Sequence, residues 1–461
     1  MEFLMIFLFL VGYACIAMEH SLKVNKAATA LLLCALLWTV YITNADSVLT
    51  QFSNHEDVIS YVTGNQIIEH LGDVASTLFF LMGAMTIVEL IDAHGGFSII
   101  TNKITTKEKK KLLWLLAIIT FFMSAILDNL TTTIVMVMLL RKLIGNYKER
   151  WLFACVIVIA ANSGGAFSPI GDVTTIMLWV KGNVSTEGLL PNLFVPSLIS
   201  MVIPVFVASR FLKGEISERV NVIGNEGFSH FSAADLITPG EQKAILFMGI
   251  GALVFVPIFK SITHLPPFIG VLLGLGVLWF YTEFLYHNKK HIPESSKARI
   301  SVILTRVDFT TILFFLGILM AVSALQCAGI LGQLSKFLDE SVGNVYVIDV
   351  IIGILSSIVD NVPLVAGSMG MYDVASAADV ASNPALAAYA SDGVFWLFLA
   401  YCAGVGGSML IIGSAAGVVV MGLEKVSFGW YCKNISLLAL SGYLAGAIFF
   451  VLQEVFIRPL F

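Results

Sequence analysis

Two aspartate–asparagine pairs, Asp128-Asn129 and Asp360-Asn361, lie inside long apolar segments of the chain. No residue from 112 to 127, the stretch before the first pair, carries a charge. A charged side chain at the middle of a bilayer costs at least about 2.5–3.5 kcal/mol, so it normally faces a cavity and has a function. Helix capping is the alternative role, but Asn or Ser would cap at lower cost. We therefore predict that both aspartates bind a cation and that capping is an accompanying role.

Two glycine motifs interrupt other apolar segments of the chain. They are the sequences NSGG at 162–165 and GVGGS at 404–408. Such breaks free backbone carbonyls, which membrane proteins tolerate where the backbone lines a cavity or is buried in protein. Freed carbonyls coordinate Na⁺ in transporters built this way, whereas close helix packing through small residues is the alternative. The motifs predict broken helices at 151–181 and 393–422.

A third carboxylate follows the first glycine motif. The sequence from Gly171 to Thr175 adds Asp172 and two threonine hydroxyls, whereas the matching position in the second motif is Ser414. Two carboxylates that lie close together do not ionise together easily, so one of them can carry a proton. Ser124 and Ser356 lie four residues before the aspartates of the two pairs, and this spacing puts each on the same helix face as its aspartate.

These segments together predict an ion site made only of oxygen ligands, with no Lys, Arg or His. Such a site suits a hard cation, and its few carboxylates suit a monovalent one, so no cofactor is expected. A carboxylate that binds either the ion or a proton makes the two compete. The candidate ligands are Ser124, Asp128, Asn129, Asn162, Asp172, Thr174, Thr175, Ser356, Asp360, Asn361, Ser408 and Ser414.

The composition indicates which elements position these residues. Of 461 residues, 58% are hydrophobic and 12% are charged, whereas soluble domains carry about 25% charged residues. Apolar runs approach the ~20 residues of a membrane-spanning helix along the whole length. The sequence predicts an all-α polytopic membrane protein in the lipid bilayer and excludes a soluble enzyme and a nucleic-acid partner. We expect the first apolar segment to be an uncleaved helix, with a cleaved signal peptide as the alternative.

Hydropathy and charge together predict the topology. If the segments 112–144 and 345–372 are re-entrant hairpins, 22 of the 26 Lys and Arg residues fall on one side of the membrane. The outer loop at 44–70 then carries no Lys or Arg, and both termini lie outside, in the periplasm of a bacterium. Ten crossings remain, near 3–18, 27–43, 74–92, 151–181, 194–212, 243–258, 268–286, 308–326, 393–422 and 436–456.

An internal repeat relates the two halves of the chain. The string SAILDN at 124–129 matches SSIVDN at 356–361, and GGAFSPIG at 164–171 matches GGSMLIIG at 406–413. We predict one repeat at 1–215, a cytoplasmic linker at 216–242 and a second repeat at 243–461. Each half has five crossings, and an odd number inverts the second copy. Inverted repeats are typical of secondary transporters, whose substrate sites lie near the midplane between the repeats.

The two D-N pairs, the run NSGGAFSPIGDVTT at 162–175 and the inverted duplication resemble the NhaD family of bacterial Na⁺/H⁺ antiporters, in the ion transporter superfamily. The resemblance implies that Na⁺, and also Li⁺, is exchanged for H⁺ across the bacterial inner membrane by alternating access. It also implies a homodimer. Ser414 stands where the internal symmetry would place a counterpart of Asp172, so the number of ion sites, one or two, stays open. Family roles fall on Asp128, Asn129, Asn162, Asp172, Thr174, Thr175, Asp360 and Asn361.

The main alternative is a Na⁺-coupled dicarboxylate symporter of the same superfamily. Its hairpin tips resemble Ser-Asn-Thr, which are neutral and can hold an anion, whereas aspartates at both tips would repel a dicarboxylate. An ion channel is a third class. An intramembrane hydrolase is a fourth, but no HExxH or GxSxG motif accompanies a His/Asp set.

Overall fold

The structure, a computed structural model, describes residues 1–52, 54–97, 99, 104, 106–216, 237–289, 297–358 and 360–457. These residues form α-helices and short 3₁₀ and π turns, without a β-strand, which confirms the predicted all-α fold class. Most of the predicted linker, residues 217–236, lies outside the described residues.

Seven helical segments in the described part of the chain are long and apolar enough to cross a membrane. They are His55–Ala93, Lys109–Leu127, Thr186–Phe211, Pro239–Thr263, Pro267–His287, Phe309–Cys327 and Ser436–Phe456. The other α-helices are Glu2–Ala17, Glu19–Leu22, Lys26–Ile42, Asn129–Leu143, Tyr147–Ala166, Val173–Lys181, Ile300–Ile303, Ile330–Ser341, Val345–Ser356, Asn361–Met371, Ala377–Ser382, Val394–Gly406, Ala415–Glu424 and Phe428–Asn434.

The third predicted crossing differs most from its helix. The sequence places a loop at 44–70 and a crossing at 74–92, whereas helix begins at His55 and continues through a π turn to Ala93. The prediction of a loop was wrong for residues 55–70. Polar residues such as Glu56 and Asp57 in the first turn suit a helix N-terminus as well as they suit a loop, so composition did not separate the two.

The first predicted hairpin consists of helices Lys109–Leu127 and Asn129–Leu143, which pack together and meet at Asp128. Lys109 Nζ lies 2.9 Å from Glu149 Oε1, so the two ends of the hairpin lie at the same level. The backbone N–H of Lys109 also donates to the carbonyl of Gly214 at 3.2 Å, just beyond the C-terminus of helix Thr186–Phe211.

The second hairpin consists of helices Val345–Ser356 and Asn361–Met371. Tyr372 follows its second arm and donates to Asp339, which precedes its first arm, at 3.1 Å. Tyr372 also stacks on Tyr389. Three residues further along the chain, the Asp392 N–H donates to the carbonyl of Asn183 at 3.0 Å. Asn183 lies just before helix Thr186–Phe211, so the open ends of the two hairpins lie at opposite ends of that helix. This is the arrangement that an inverted repeat predicts.

Helix packing repeats between the halves as well. Helix Lys26–Ile42 packs on Phe309–Cys327, and the corresponding helices Pro267–Asn288 and Ile67–Ala93 pack on each other. The last crossings of the two halves, Thr186–Phe211 and Ser436–Leu452, also form a pair. We refer to helices Lys26–Ile42 and Phe309–Cys327 and their counterparts Pro267–Asn288 and Ile67–Ala93 as the frame, which lies beside the hairpins and broken helices.

The two broken helices are Tyr147–Ala166 with Val173–Lys181, and Val394–Gly406 with Ala415–Glu424. The hairpins approach them closely through glycine. A Cβ on Gly164 would meet the carbonyl oxygen of Phe121, and one on Gly406 would meet that of Gly353. Phe121 and Gly353 each lie three residues before the serine of the repeated motif, so the same contact occurs in both halves.

Candidate ion-binding site

Asp172 lies at the break of the first broken helix and is 1% exposed. Its Oδ1 accepts hydrogen bonds from the N–H and the hydroxyl of Thr174, both at 2.9 Å, so the carboxylate caps helix Val173–Lys181. The Thr175 hydroxyl donates to the Asp172 carbonyl at 2.8 Å. Asp172 therefore lies at the N-terminus of this helix, where the helix dipole is positive.

Both hairpin tips reach Asp172 through their asparagines. Asn129 Nδ2 lies 2.7 Å from Asp172 Oδ2 and 3.1 Å from Asn162 Oδ1. Asn361 Nδ2, from the other hairpin, lies 3.5 Å from Asp172 Oδ1. The asparagines, rather than the aspartates that precede them, therefore contact the central carboxylate.

Asn162 connects this cluster to the second broken helix. Its Nδ2 donates to the hydroxyls of Ser408 and Ser414, both at 2.9 Å. Ser414 Oγ also accepts from the N–H of Gly417 at 3.2 Å and caps helix Ala415–Glu424. Both hairpins and both broken helices thus meet in one hydrogen-bonded cluster whose centre is Asp172.

Ser124 and Ser356, the two predicted serines of the hairpins, lie outside this cluster and join the hairpins to the broken helices. Ser124 donates to the carbonyl of Ala161 at 2.6 Å, and Ser356 donates to that of Ala403 at 2.9 Å. Both serines are fully buried. Their matching bonds to the broken helices repeat the internal symmetry of the chain.

Asp128 lies at the tip of the first hairpin and caps its own second arm. Its carboxylate oxygens accept from the N–H of Thr131 at 2.7 Å and from the Thr131 hydroxyl at 3.0 Å. Its backbone has φ +86° and ψ 159°, a region occupied almost only by glycine. A non-glycine residue keeps this strained conformation only where the surrounding structure enforces it.

Asp360 lies at the tip of the second hairpin and pairs with a lysine that the sequence did not place in the site. Lys26 Nζ lies 2.7 Å from Asp360 Oδ2. The prediction of a site without basic residues was therefore wrong at this carboxylate. Lys26 begins helix Lys26–Ile42 at its predicted cytoplasmic end, and its long aliphatic stem carries the ammonium to the hairpin tip.

Two sets of cavities approach the cluster from opposite sides. A cavity of about 50 Å³ is lined by Lys26, Asp360 and Ser414, and a neighbouring one of about 280 Å³ includes Asp308. A cavity of about 370 Å³ is lined by Lys181 and by Ala366, Met369 and Gly370 of the second hairpin, among others. Asp308 precedes helix Phe309–Cys327, whereas Leu319, Val322, Ser323 and Gln326 along its second half line the large cavity.

Several buried polar residues were not predicted. Thr132 and Thr133 lie three and four positions after Asn129, and their hydroxyls have no hydrogen-bond partner in the described part of the chain. Their spacing from Asn129 was the signal that could have found them. Asp349, in the first arm of the second hairpin, is fully buried, and neither carboxylate oxygen has a partner among the described residues. Its charge within an apolar run was the same signal that identified Asp128.

Glu424 forms a second unpredicted cluster. Arg141 Nε lies 2.7 Å from its Oε1, Arg150 Nε lies 2.8 Å from its Oε2, and its side chain is fully buried. Arg141 also donates to the carbonyl of Leu423. These bonds join the end of the second broken helix to the end of the first hairpin and to the start of the first broken helix. Among the described residues, no group of three or more His, Cys, Asp or Glu could hold a metal ion.

Comparison with known proteins defines the class. A family model described as "Citrate transporter" matches residues 13–392. The chain therefore belongs to this family of membrane transporters. Sodium/proton antiporter 2 of Arabidopsis thaliana is 43% identical over 96% of this chain and 97% of its own length. Sodium/proton antiporter 1 of the same plant is 44% identical over 96% of this chain and 71% of its own.

Bacterial relatives include the Na⁺/H⁺ antiporter NhaD of Vibrio parahaemolyticus, which is 31% identical over 64% of this chain and 69% of its own length. The NhaD of Vibrio cholerae is 29% identical over 90% of this chain. These relatives confirm the resemblance to NhaD that the sequence motifs indicated, and they show that similar chains occur in plants as well as in bacteria.

Proposed function

We propose that this protein exchanges Na⁺, and also Li⁺, for H⁺ across a membrane, with the ion and the proton competing for Asp172. One observation carries the proposal. A single buried carboxylate receives the tips of both hairpins and caps one of two broken helices, and its surroundings are amides and hydroxyls. The names of the curated relatives support the same ions.

The asparagines around Asp172 suit both halves of such a cycle. Asn129 and Asn361 direct their side-chain N–H groups toward the carboxylate. Rotation of either side-chain amide by half a turn would present its oxygen instead, which is the ligand that Na⁺ prefers. Protonation of Asp172 removes the negative charge that attracts Na⁺, so that proton and ion exclude each other without further machinery.

The cavities on opposite sides of the cluster support alternating access. We infer that the hairpins and broken helices move against the frame formed by Lys26–Ile42, Phe309–Cys327 and their counterparts. Such movement would open Asp172 to one cavity system and then to the other. We also propose that the protein lies in a bacterial inner membrane with both termini periplasmic and that it forms a homodimer. Its two repeats would span residues 1–215 and 243–461.

Na⁺-coupled symport of a dicarboxylate is the second candidate. The family description favours it, and so do Lys181 and Lys260, which line the large cavity. Against it, the central cluster presents the Asp172 carboxylate, and no lysine or arginine among the described residues contacts that carboxylate. An anion entering the cluster would meet Asp172 directly.

Purified protein in proteoliposomes separates these functions. With an acidic interior, we expect ²²Na⁺ uptake that requires the pH gradient and dissipates it, without any carboxylate substrate. Asp172→Asn should abolish this uptake, whereas Asp373→Asn, which removes an exposed carboxylate, should not. Citrate uptake driven by a Na⁺ gradient at equal pH would instead establish symport. ²²Na⁺ flux that leaves the pH gradient intact would indicate a channel.

A further inference from the structure

The ion pair between Lys26 and Asp360 connects two parts of the molecule that are far apart in sequence. Lys26 begins a frame helix, and Asp360 lies at the tip of the second hairpin. The Lys26 side chain is 25% exposed and that of Asp360 is 16% exposed. The ammonium also lies 4.3 Å from the centre of the Phe314 ring, which belongs to a second frame helix.

Acidic groups surround this ammonium. Asp360 is its direct partner, the Glu19 carboxylate accepts the backbone N–H of Lys26 at 3.2 Å, and Asp308 also acts on it electrostatically. Glu19, Asp308 and Lys26 line one cavity together, and Asp360 lines the adjoining one. Three carboxylates around one ammonium make this region attractive to a second cation.

We propose that Lys26 is a tethered cation that occupies the Asp360 carboxylate in place of the transported ion and must leave before Na⁺ can bind there. This inference rests on the proposed Na⁺/H⁺ exchange. An ammonium and a sodium ion seek the same carboxylate oxygen, and their mutual repulsion prevents both from binding it closely. Asp172 is then the open ion site, and Asp360 is a site that the chain fills with its own charge.

The position of the pair also couples ion binding to movement. While Lys26 holds Asp360, the tip of the second hairpin is fixed to the frame helices that carry Lys26 and Phe314. When Na⁺ replaces the ammonium, the tip is freed from the frame. Lys26 thereby keeps the half-buried Asp360 carboxylate paired when no ion is present, and removal of one partner from a desolvated ion pair is destabilising.

Equilibrium binding of ²²Na⁺ to the purified full-length protein tests this inference. Lys26→Met removes the competing charge but keeps a side chain of similar length, and should tighten Na⁺ binding by about three- to tenfold. Lys26→Arg keeps a permanent charge with a forked geometry that grips a carboxylate, and should weaken binding. Lys23→Met removes the charge of an exposed lysine three residues before Lys26 and should leave the Kd unchanged.

A double variant locates the effect. If the gain comes from Asp360, Lys26→Met should no longer tighten binding when Asp360→Asn is already present. An unchanged or weaker Kd in monodisperse Lys26→Met protein would overturn the inference. If that variant does not fold, an unchanged Kd for Lys26→Arg overturns it instead. Absence of Na⁺-dependent exchange by the wild-type protein would refute the proposed function, whereas exchange by the wild type with a Kd insensitive to Lys26 would refute only the role of Lys26.

Discussion

Asp172 and Ser414 cap the second segments of the two broken helices at equivalent positions. Asp172 Oδ1 accepts from the N–H of Thr174 at 2.9 Å, and Ser414 Oγ accepts from the N–H of Gly417 at 3.2 Å. Both are also joined to hairpin or break residues of the first half, Asp172 to Asn129 and Ser414 to Asn162. The two halves therefore share their architecture but differ in charge at this position.

This difference gives the first prediction. Asp172→Asn should reduce Na⁺/H⁺ exchange to background, because the amide keeps a capping oxygen but can neither carry the charge nor take up the proton. Ser414→Ala removes one hydrogen bond to Asn162 and should raise the apparent KM for Na⁺ roughly 3- to 10-fold, with exchange retained. Everted vesicles with a pH-sensitive dye provide the measurement. Equal and mild effects of both substitutions would exclude Asp172 as the proton-linked ligand.

The second prediction concerns the hairpins. On a background in which the six native cysteines are replaced, Lys110→Cys and Asn146→Cys flank the first hairpin, and Glu340→Cys and Asp373→Cys flank the second. All four positions are exposed. An impermeant maleimide should label the first pair from one face of the membrane and the second pair from the other. If the members of either pair label from opposite faces, that hairpin crosses the membrane and the inverted repeat is wrong.

The third prediction concerns stability. Glu424→Gln should lower the free energy of unfolding by about 3–5 kcal/mol, because it leaves Arg141 and Arg150 without their common buried partner. Thermal unfolding of the purified protein measures the loss. Glu340→Gln, a neutralisation at an exposed position, is the matched control. Equal melting temperatures for the two variants would show that the cluster contributes no stability.

The fourth prediction concerns His94, which follows the long helix ending at Ala93 and is fully buried. Its Nδ1 lies 2.7 Å from the carbonyl of Leu90 and its Nε2 lies 2.8 Å from the hydroxyl of Tyr286. A neutral ring satisfies both contacts, with Nδ1 donating and Nε2 accepting. Burial lowers the pKa of His94 below its ordinary value, so the folded protein binds this proton less readily than the unfolded chain.

The contribution of His94 to stability is therefore fully present above the unfolded pKa of about 6.5 and is lost as the pH falls below it. On acidification from neutral pH, the melting temperature of the wild type should decrease more than that of His94→Gln. The corresponding difference in the free energy of unfolding is at most about 1.4 kcal/mol per pH unit. Parallel decreases in the two proteins would place the acid sensitivity elsewhere.

The sequence predicted the architecture well because membranes make polar residues conspicuous. A charge, an amide or a glycine pair inside an apolar run has few structural explanations, so Asn129, Asn162, Asp172 and Asn361 could be identified from their surroundings alone. The repeated string around Ser124 and Ser356 then fixed the relation between the halves, and the structure shows matching bonds for both serines.

The contacts of individual side chains were less accessible. Successive helical residues point about 100° apart, so the sequence could not decide whether the aspartate or the asparagine of each tip faces the centre. The partners Lys26 and Asp360 lie in different halves of the chain. Because a lysine side chain is long, the position of Lys26 along its helix does not show where its ammonium lies. Glu424 was not predicted as part of a cluster because nothing in its own segment shows the two arginines that contact it.

Competition between Na⁺ and H⁺ at Asp172 is tested most directly by the apparent KM for Na⁺ as a function of pH. It can be measured from Na⁺-dependent dissipation of a proton gradient in everted vesicles between about pH 6 and 9. If ion and proton exclude each other, each tenfold rise in proton concentration at the acidic end should raise KM about tenfold, and KM should become constant at the alkaline end. A KM that is independent of pH throughout, with exchange still obligatory, would require separate sites for the ion and the proton and would contradict the mechanism proposed for Asp172.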